Sequence, residues 1–107
     1  MENQNDEKMK EDNLDMITMS LSISRKEFAE YIHELEASYG EMQCPLCKKK
    51  VWGILPREDS PEHAAIVTLP LPNFGGRGVW AYPVMCMECG YIASFATNHV
   101  SHKIRRG

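Results

Sequence analysis

No stretch of this chain holds the roughly 18 consecutive apolar residues that a membrane-crossing helix requires, and no charged start leads into an apolar signal core. A membrane partner is therefore not expected, and the chain is read as cytoplasmic. Large apolar side chains are nearly missing from the first 13 residues, where Met1 and Met9 stand among seven charged ones. Such a segment cannot bury enough surface to offset the entropy of ordering it, so residues 1–16 are expected as a disordered acidic arm. Cysteine is scarce: there are four, all in two C-x2-C pairs. In a reducing compartment that usage argues against structural disulfides and leaves metal or thiol redox chemistry. Internal repeats are missing apart from those pairs, and 107 residues allow one small domain with a modest core.

The formal net charge of -3 conceals an asymmetry. Residues 1–24 carry -4 and residues 25–43 carry -3, whereas residues 44–107 set eight basic side chains against four acidic ones, +4. The cysteine-bearing half is basic and the leader acidic.

Between them lies the clearest helix signal. Ser24 followed three residues later by Glu27 is a capping box, with Ile23 and Phe28 placed as a hydrophobic staple. Phe28, Ile32, Leu35 and Tyr39 form one apolar stripe at helical spacing, and Gly40 supplies the stop, which predicts a helix over Arg25–Tyr39. Before it, Ile17, Met19, Leu21 and Ile23 alternate with Thr18, Ser20 and Ser22, a period-two pattern that predicts a short strand at Ile17–Ile23. Further strands are expected at Val51–Leu55, Ala64–Leu69, Val79–Val84 and Tyr91–Ala96, separated by prolines and by the Gly75–Gly78 cluster. His33 points away from the helix stripe and reads as a solvated histidine.

The most specific signals are CPLCKKKVWGI, Cys44–Ile54, and CMECGYIASF, Cys86–Phe95. Within a C-x2-C turn both thiolates converge on one ion, and four thiolates are a common tetrahedral set for structural zinc. The residue after the second cysteine is often forced to positive φ, which Gly90 adopts freely; Lys48, at the equivalent place, is expected either strained or in a different turn. Pro45 fixes φ at the first step of its turn. These residues resemble the zinc ribbons, in which two such knuckles at the ends of β-hairpins clamp one zinc. CPLC together with VWAYPVMCMECGYIASFA is most similar to small uncharacterised zinc-ribbon proteins of bacteria and their prophages. The resemblance covers about residues 42–100 and implies Cys44, Cys47, Cys86 and Cys89 as ligands of one structural Zn2+. It implies no catalytic residue and names no partner. The 38 residues between Cys47 and Cys86 are long for a minimal ribbon.

The expected architecture is a small α+β protein: an acidic arm (1–16), a strand and capped amphipathic helix (17–41), a zinc ribbon of short antiparallel strands (42–100) and a basic tail (101–107). The expected function is non-enzymatic, an accessory protein that binds nucleic acid or a protein of nucleic-acid machinery. Candidate contacts are Lys48, Lys49, Lys50, Arg77, Lys103, Arg105 and Arg106, with Trp52 and Trp80 read as core. Four thiolates with one zinc add about -2 and weaken a case built on bulk charge. The alternative is a protein-interaction adaptor or inhibitor that uses the helix stripe and the acidic arm. A thiol redox protein stands third, because CPLC resembles a thioredoxin-type pair but no βαβ pattern surrounds it and a second pair would need its own explanation. His99 and His102 read as part of a solvated tail rather than as ligands. Oligomeric state is not readable from these patterns.

Overall fold

The structure, a computed structural model, describes residues 15–72 and 78–107. The expected acidic arm lies outside them except for its last two residues, as do Arg77 and the glycines at 75 and 76.

Ser24 and Glu27 hold the first turn of a helix between them. The Glu27 N–H donates to Ser24 Oγ at 3.0 Å and the Ser24 N–H donates to Glu27 Oε1 at 3.1 Å, so two otherwise orphaned donors are satisfied reciprocally. The helix runs Arg25–Tyr39 (α2) and stops at Gly40, whose φ of 100° suits a residue without Cβ and whose N–H donates to the Glu36 carbonyl. Phe28 is its one fully buried side chain.

Residues 15–22 are also helical (α1), which corrects the strand expected at Ile17–Ile23. The alternating apolar residues do not share a buried face: Ile17 and Leu21 are exposed, and burial falls on Ser20 and Ile23, three apart, with Met19 half-covered. Tertiary donors decide the matter by capturing the carbonyls that a helix leaves open at its end. Tyr82 Oη donates to Ser20 O at 2.6 Å, Arg57 to Leu21 O at 3.1 Å, and Arg105 to Ser22 O at 2.9 Å. Burial holds the Tyr82 phenol well above its ordinary range, so it stays a donor.

Four antiparallel strands form the sheet: Trp52–Ile54 (β1), Val67–Pro70 (β2), Gly78–Cys86 (β3) and Ile92–Ala96 (β4). The long β3 organises it. Ala81–Met85 pair with β4 along one edge, while along the other edge Val84–Cys86 pair with β1 and Gly78–Ala81 with β2. Three of the four expected strands sit within a few residues of their observed places. The one expected at Ala64–Leu69 begins later, because the Ala64 and Ala65 N–H groups donate to the Ile23 and Leu55 carbonyls and tie the segment away from β3.

One face of the sheet carries the core. Tyr82 and Val84 of β3 join Ile23, Phe28, Ala64 and Val100, with Ile54, Ile66, Ala93 and Phe95 packed around them. Phe28 stacks tilted on Tyr82 at 5.1 Å and edge-on to Phe95 at 5.6 Å, separations at which aromatic pairs attract beyond simple burial.

The chain closes with a third helix, Thr97–Arg106 (α3), where a solvated basic tail was expected. Thr97, Val100 and Ser101 are buried and Ile104 packs on the core, a stripe at helical spacing in which two of four members are hydroxyl residues. Ser20 Oγ donates to Thr97 Oγ1 at 3.1 Å in the interior, which lets polar side chains serve as core.

Candidate metal centre

Two turns of the same build face one another across the β1–β3 pairing, in which Trp52 lies opposite Cys86. In the first, the Lys48 N–H donates to Cys44 O at 3.0 Å and the Cys44 N–H donates to Lys49 O at 2.9 Å. In the second, the Gly90 N–H donates to Cys86 O and the Cys86 N–H to Tyr91 O, both at 2.8 Å. The residue after each second cysteine is left-handed: Gly90 at φ 85° and Lys48 at φ 68°. The first of the two expectations for Lys48 holds, a lysine in a conformation that costs an L-residue about 1–2 kcal/mol.

The thiols converge as the spacing implies. The Sγ atoms of Cys44, Cys47, Cys86 and Cys89 all lie within 4.8 Å of one another. Cys44 Sγ is 3.6 Å from Cys89 Sγ, and Cys47 Sγ is 3.5 Å from Cys86 Sγ. A disulfide needs about 2.05 Å, whereas the edge of a tetrahedron of thiolates about 2.3 Å from a central ion is about 3.8 Å. Sulfur spacing therefore matches metal ligation, and the four cysteines are arranged to hold one ion. His99 and His102 are exposed on α3 and take no part.

Backbone N–H groups are aimed at the sulfurs in the same order in both turns. Cys44 Sγ accepts from Cys47 and Leu46, and Cys86 Sγ from Cys89 and Glu88. Cys47 and Cys89 each accept from the residue two further on, Lys49 and Tyr91. At Cys44 burial opposes ionisation, but the donated hydrogen bonds outweigh it and hold the thiol down to about 6. Cys86 is lowered mainly by the Cys89 N–H. At Cys47 the Lys49 N–H favours the thiolate, yet burial and the three neighbouring sulfurs together push it up to about 12, and Cys89 is likewise raised. Four negative sulfurs this close need a cation among them. A soft, tetrahedral dication fits that donor set.

Around the site, Trp52 Nε1 donates to Met42 O at 2.7 Å and its ring meets Tyr91 edge-on at 6.5 Å, which fixes the approach to the first turn against the second. Met87 N–H donates to Val51 O at 2.7 Å, a further stitch between them. Leu46 and Met87, inside the two turns, are 72% and 62% exposed. The sequence reading passed over both, although a large apolar residue inside a C-x2-C turn has no core within reach and is a visible signal.

Among the described residues the candidate cations do not gather. Lys48, Lys49 and Lys50 lie exposed at the first turn, with Lys48 Nζ on Pro45 O and Lys50 Nζ 3.1 Å from Glu41. Lys103, Arg105 and Arg106 lie on α3, which begins beside Ala81, five residues or roughly 16 Å along β3 from Cys86. Arg105 is engaged by Glu27 and Ser22, and Arg106 stands 3.9 Å from Asp15. Lys103 borders a cleft of about 420 Å³ lined also by Glu27, Glu30 and Glu34. The helix stripe, named as an adaptor surface, begins inside the core with Phe28 and Ile32. No helix of the described residues is long and apolar enough to cross a membrane. No protein-family model matches the chain, and no curated protein or solved structure matches it either.

Proposed function

We propose that the chain is a non-enzymatic zinc-ribbon accessory module that acts by binding. The observation that carries this reading is the closed set of four sulfurs. Catalytic zinc keeps a coordination position for water or substrate, and four protein thiolates leave none. Such a site contributes folding free energy and shapes the surface around it. That surface has exposed Lys48 and Lys49 at the first turn and exposed Tyr91 just after the second, cations and a ring of the kind that contact phosphates and unstacked bases. Nucleic acid, or a protein that handles it, is the partner proposed for this end. On this reading the contact lies at the metal end, and Arg105, held by Glu27 and Ser22, is not part of it.

A second reading, a purely protein partner, is favoured by Leu46 and Met87, apolar tips that phosphates do not require. Fluorescence anisotropy with single-stranded and duplex probes at two salt concentrations separates the two. Binding that weakens with salt and is lost in the double variant Lys48→Glu, Lys49→Glu supports the first. No binding at low salt by the metal-loaded chain sinks it, and recovery of a nuclease-insensitive partner by the wild type but not by Leu46→Asp then favours the second.

A further inference from the structure

Burial and hydrogen bonding sort the four sulfurs into two inner and two outer ones. Cys44 and Cys86 are buried, whereas Cys47 is half-buried and Cys89 is exposed. Each inner sulfur accepts two backbone N–H groups and each outer one accepts a single group. Cover and hydrogen bonds both withhold a thiolate from attack, and susceptibility to oxidation follows thiolate character and exposure. Cys89 is therefore the sulfur that a reagent in solvent meets first. Its neighbour across the turns is the buried Cys44, at 3.6 Å. The same pairing of a more open sulfur with a buried one recurs at Cys47 and Cys86, 3.5 Å apart. Both separations are close to the about 3–3.5 Å at which reacting atoms stand in a near-attack arrangement.

We propose that the centre is a peroxide-responsive switch, in which two disulfides between the turns, Cys44–Cys89 and Cys47–Cys86, take the place of the ion. The Cys89 thiolate attacks a peroxide oxygen: an S–O bond forms, the O–O bond breaks, hydroxide leaves and the sulfur becomes a sulfenic acid. Cys44 Sγ then attacks that sulfur, forming the S–S bond and expelling the sulfenic oxygen as a second hydroxide. A second peroxide takes Cys47 and Cys86 through the same two steps. In total four thiolates give up four electrons to two molecules of hydrogen peroxide, which leave as four hydroxides. With its donors consumed the site no longer holds an ion, and a thiol reductant with fresh metal restores it.

Pairing across the turns rather than within them decides what becomes of the fold. Each pair has to close by about 1.5 Å to reach bonding distance. The cross-turn bridges span 45 and 39 positions of chain, whereas a bridge within a C-x2-C turn spans three. A disulfide constrains the unfolded chain more the longer the loop it closes, so the cross-turn product is the stabilising one. Both bridges hold the first turn against the second, as the ion does, and β1 stays on β3. Charge changes as well: four thiolates with a dication carry about -2, and two disulfides carry none. On the nucleic-acid reading proposed above, on which this last step alone rests, oxidation tightens the contact at the metal end.

Hydrogen peroxide added in steps to the full-length, zinc-loaded wild type, with a metal indicator present, tests the switch. About two equivalents should release one Zn2+ per chain, and maleimide labelling of the untreated zinc-loaded protein should reach Cys89 before the other three. Tandem mass spectrometry of the digest should find Cys44 joined to Cys89 and Cys47 to Cys86. A cooperative thermal transition should persist in the oxidised, metal-free chain, although chelation under reducing conditions abolishes it. Zinc retained at about hundredfold excess of peroxide overturns the proposal. Bridges within the turns, sulfinic acids in place of bridges, or first labelling at another cysteine overturn it too. Anisotropy of a single-stranded probe at low salt should show binding about threefold tighter to the oxidised chain, and an unchanged affinity overturns the charge step. Release and bridging with no probe binding in either state uphold the switch and sink the nucleic-acid reading instead.

Discussion

Lys48 and Gly90 occupy equivalent places in two matching turns, and only one of them is suited to its backbone. A Cβ on Gly90 would meet nothing within 4 Å, so substitution there acts through backbone strain alone. Gly90→Val should destabilise the metal-loaded protein by about 1–3 kcal/mol, since a β-branched side chain tolerates positive φ worst. Lys48→Gly should stabilise it by roughly 0.5–1 kcal/mol, the relief of left-handed strain less the added freedom of the unfolded chain. Denaturant unfolding monitored at the tryptophans measures both; two changes of the same sign would mean that the turns are not equivalent. At this scale the sequence was most informative. Ligand positions are set by spacing within a turn, which survives whatever surrounds it, and the lysine at the glycine position signalled its own strain.

Legibility fell at the scale of elements wherever distant partners decided the structure. The capping box announced α2 because both of its members are local. Helix α1 has no such device: its open carbonyls are met by Arg57, Tyr82 and Arg105, all far along the chain, and the alternation at 17–23 read as a strand. Helix α3 starts at Thr97 with no side-chain cap from Ala96, and Thr97 and Ser101 hid its stripe. Arg105 joins these elements, since it bonds Ser22 at the end of α1 and forms an ion pair with Glu27 at the start of α2. That guanidinium, with the Ser24 N–H, outweighs burial and holds the Glu27 carboxyl below its ordinary value of 4.5. A carboxyl depressed in the folded state contributes stability that is present above the unfolded value and is lost as pH falls through the folded one. The wild-type minus Glu27→Gln stability difference should accordingly be constant above about pH 5 and shrink below it. The subtraction cancels protonation of the thiolates, which both proteins share. A difference that grows in acid would contradict the pairing. Arg105→Met, which also uncovers the Ser22 carbonyl, should cost about 1–3 kcal/mol at neutral pH.

For the whole molecule, an ion held by the four sulfurs would outweigh any single contact. Structural zinc contributes on the order of 10–16 kcal/mol apparent in small peptides, against about 5–15 kcal/mol of total stability in an ordinary domain. Cys86 ends the strand with which every other strand pairs, so loss of the ion should release β1 and then the sheet. Chelation should abolish the cooperative thermal transition, one equivalent of Zn2+ per chain should restore it, and Cys86→Ser should not recover. An unchanged melting temperature after verified removal would show that the helices and sheet stand without it. The same strand order governs how the chain is made. Synthesis proceeds from the amino end at about 5–20 residues per second, and Cys86 stands 42 positions after Cys44, so the second pair follows the first by about 2–8 s. During that delay two thiolates can hold an ion only as an open, exchangeable pair, β1 has no neighbour to bond, and the Ser22 carbonyl of α1 waits for Arg105. The closed four-sulfur site and the sheet around it therefore form only once Cys86 and Cys89 have followed the first pair.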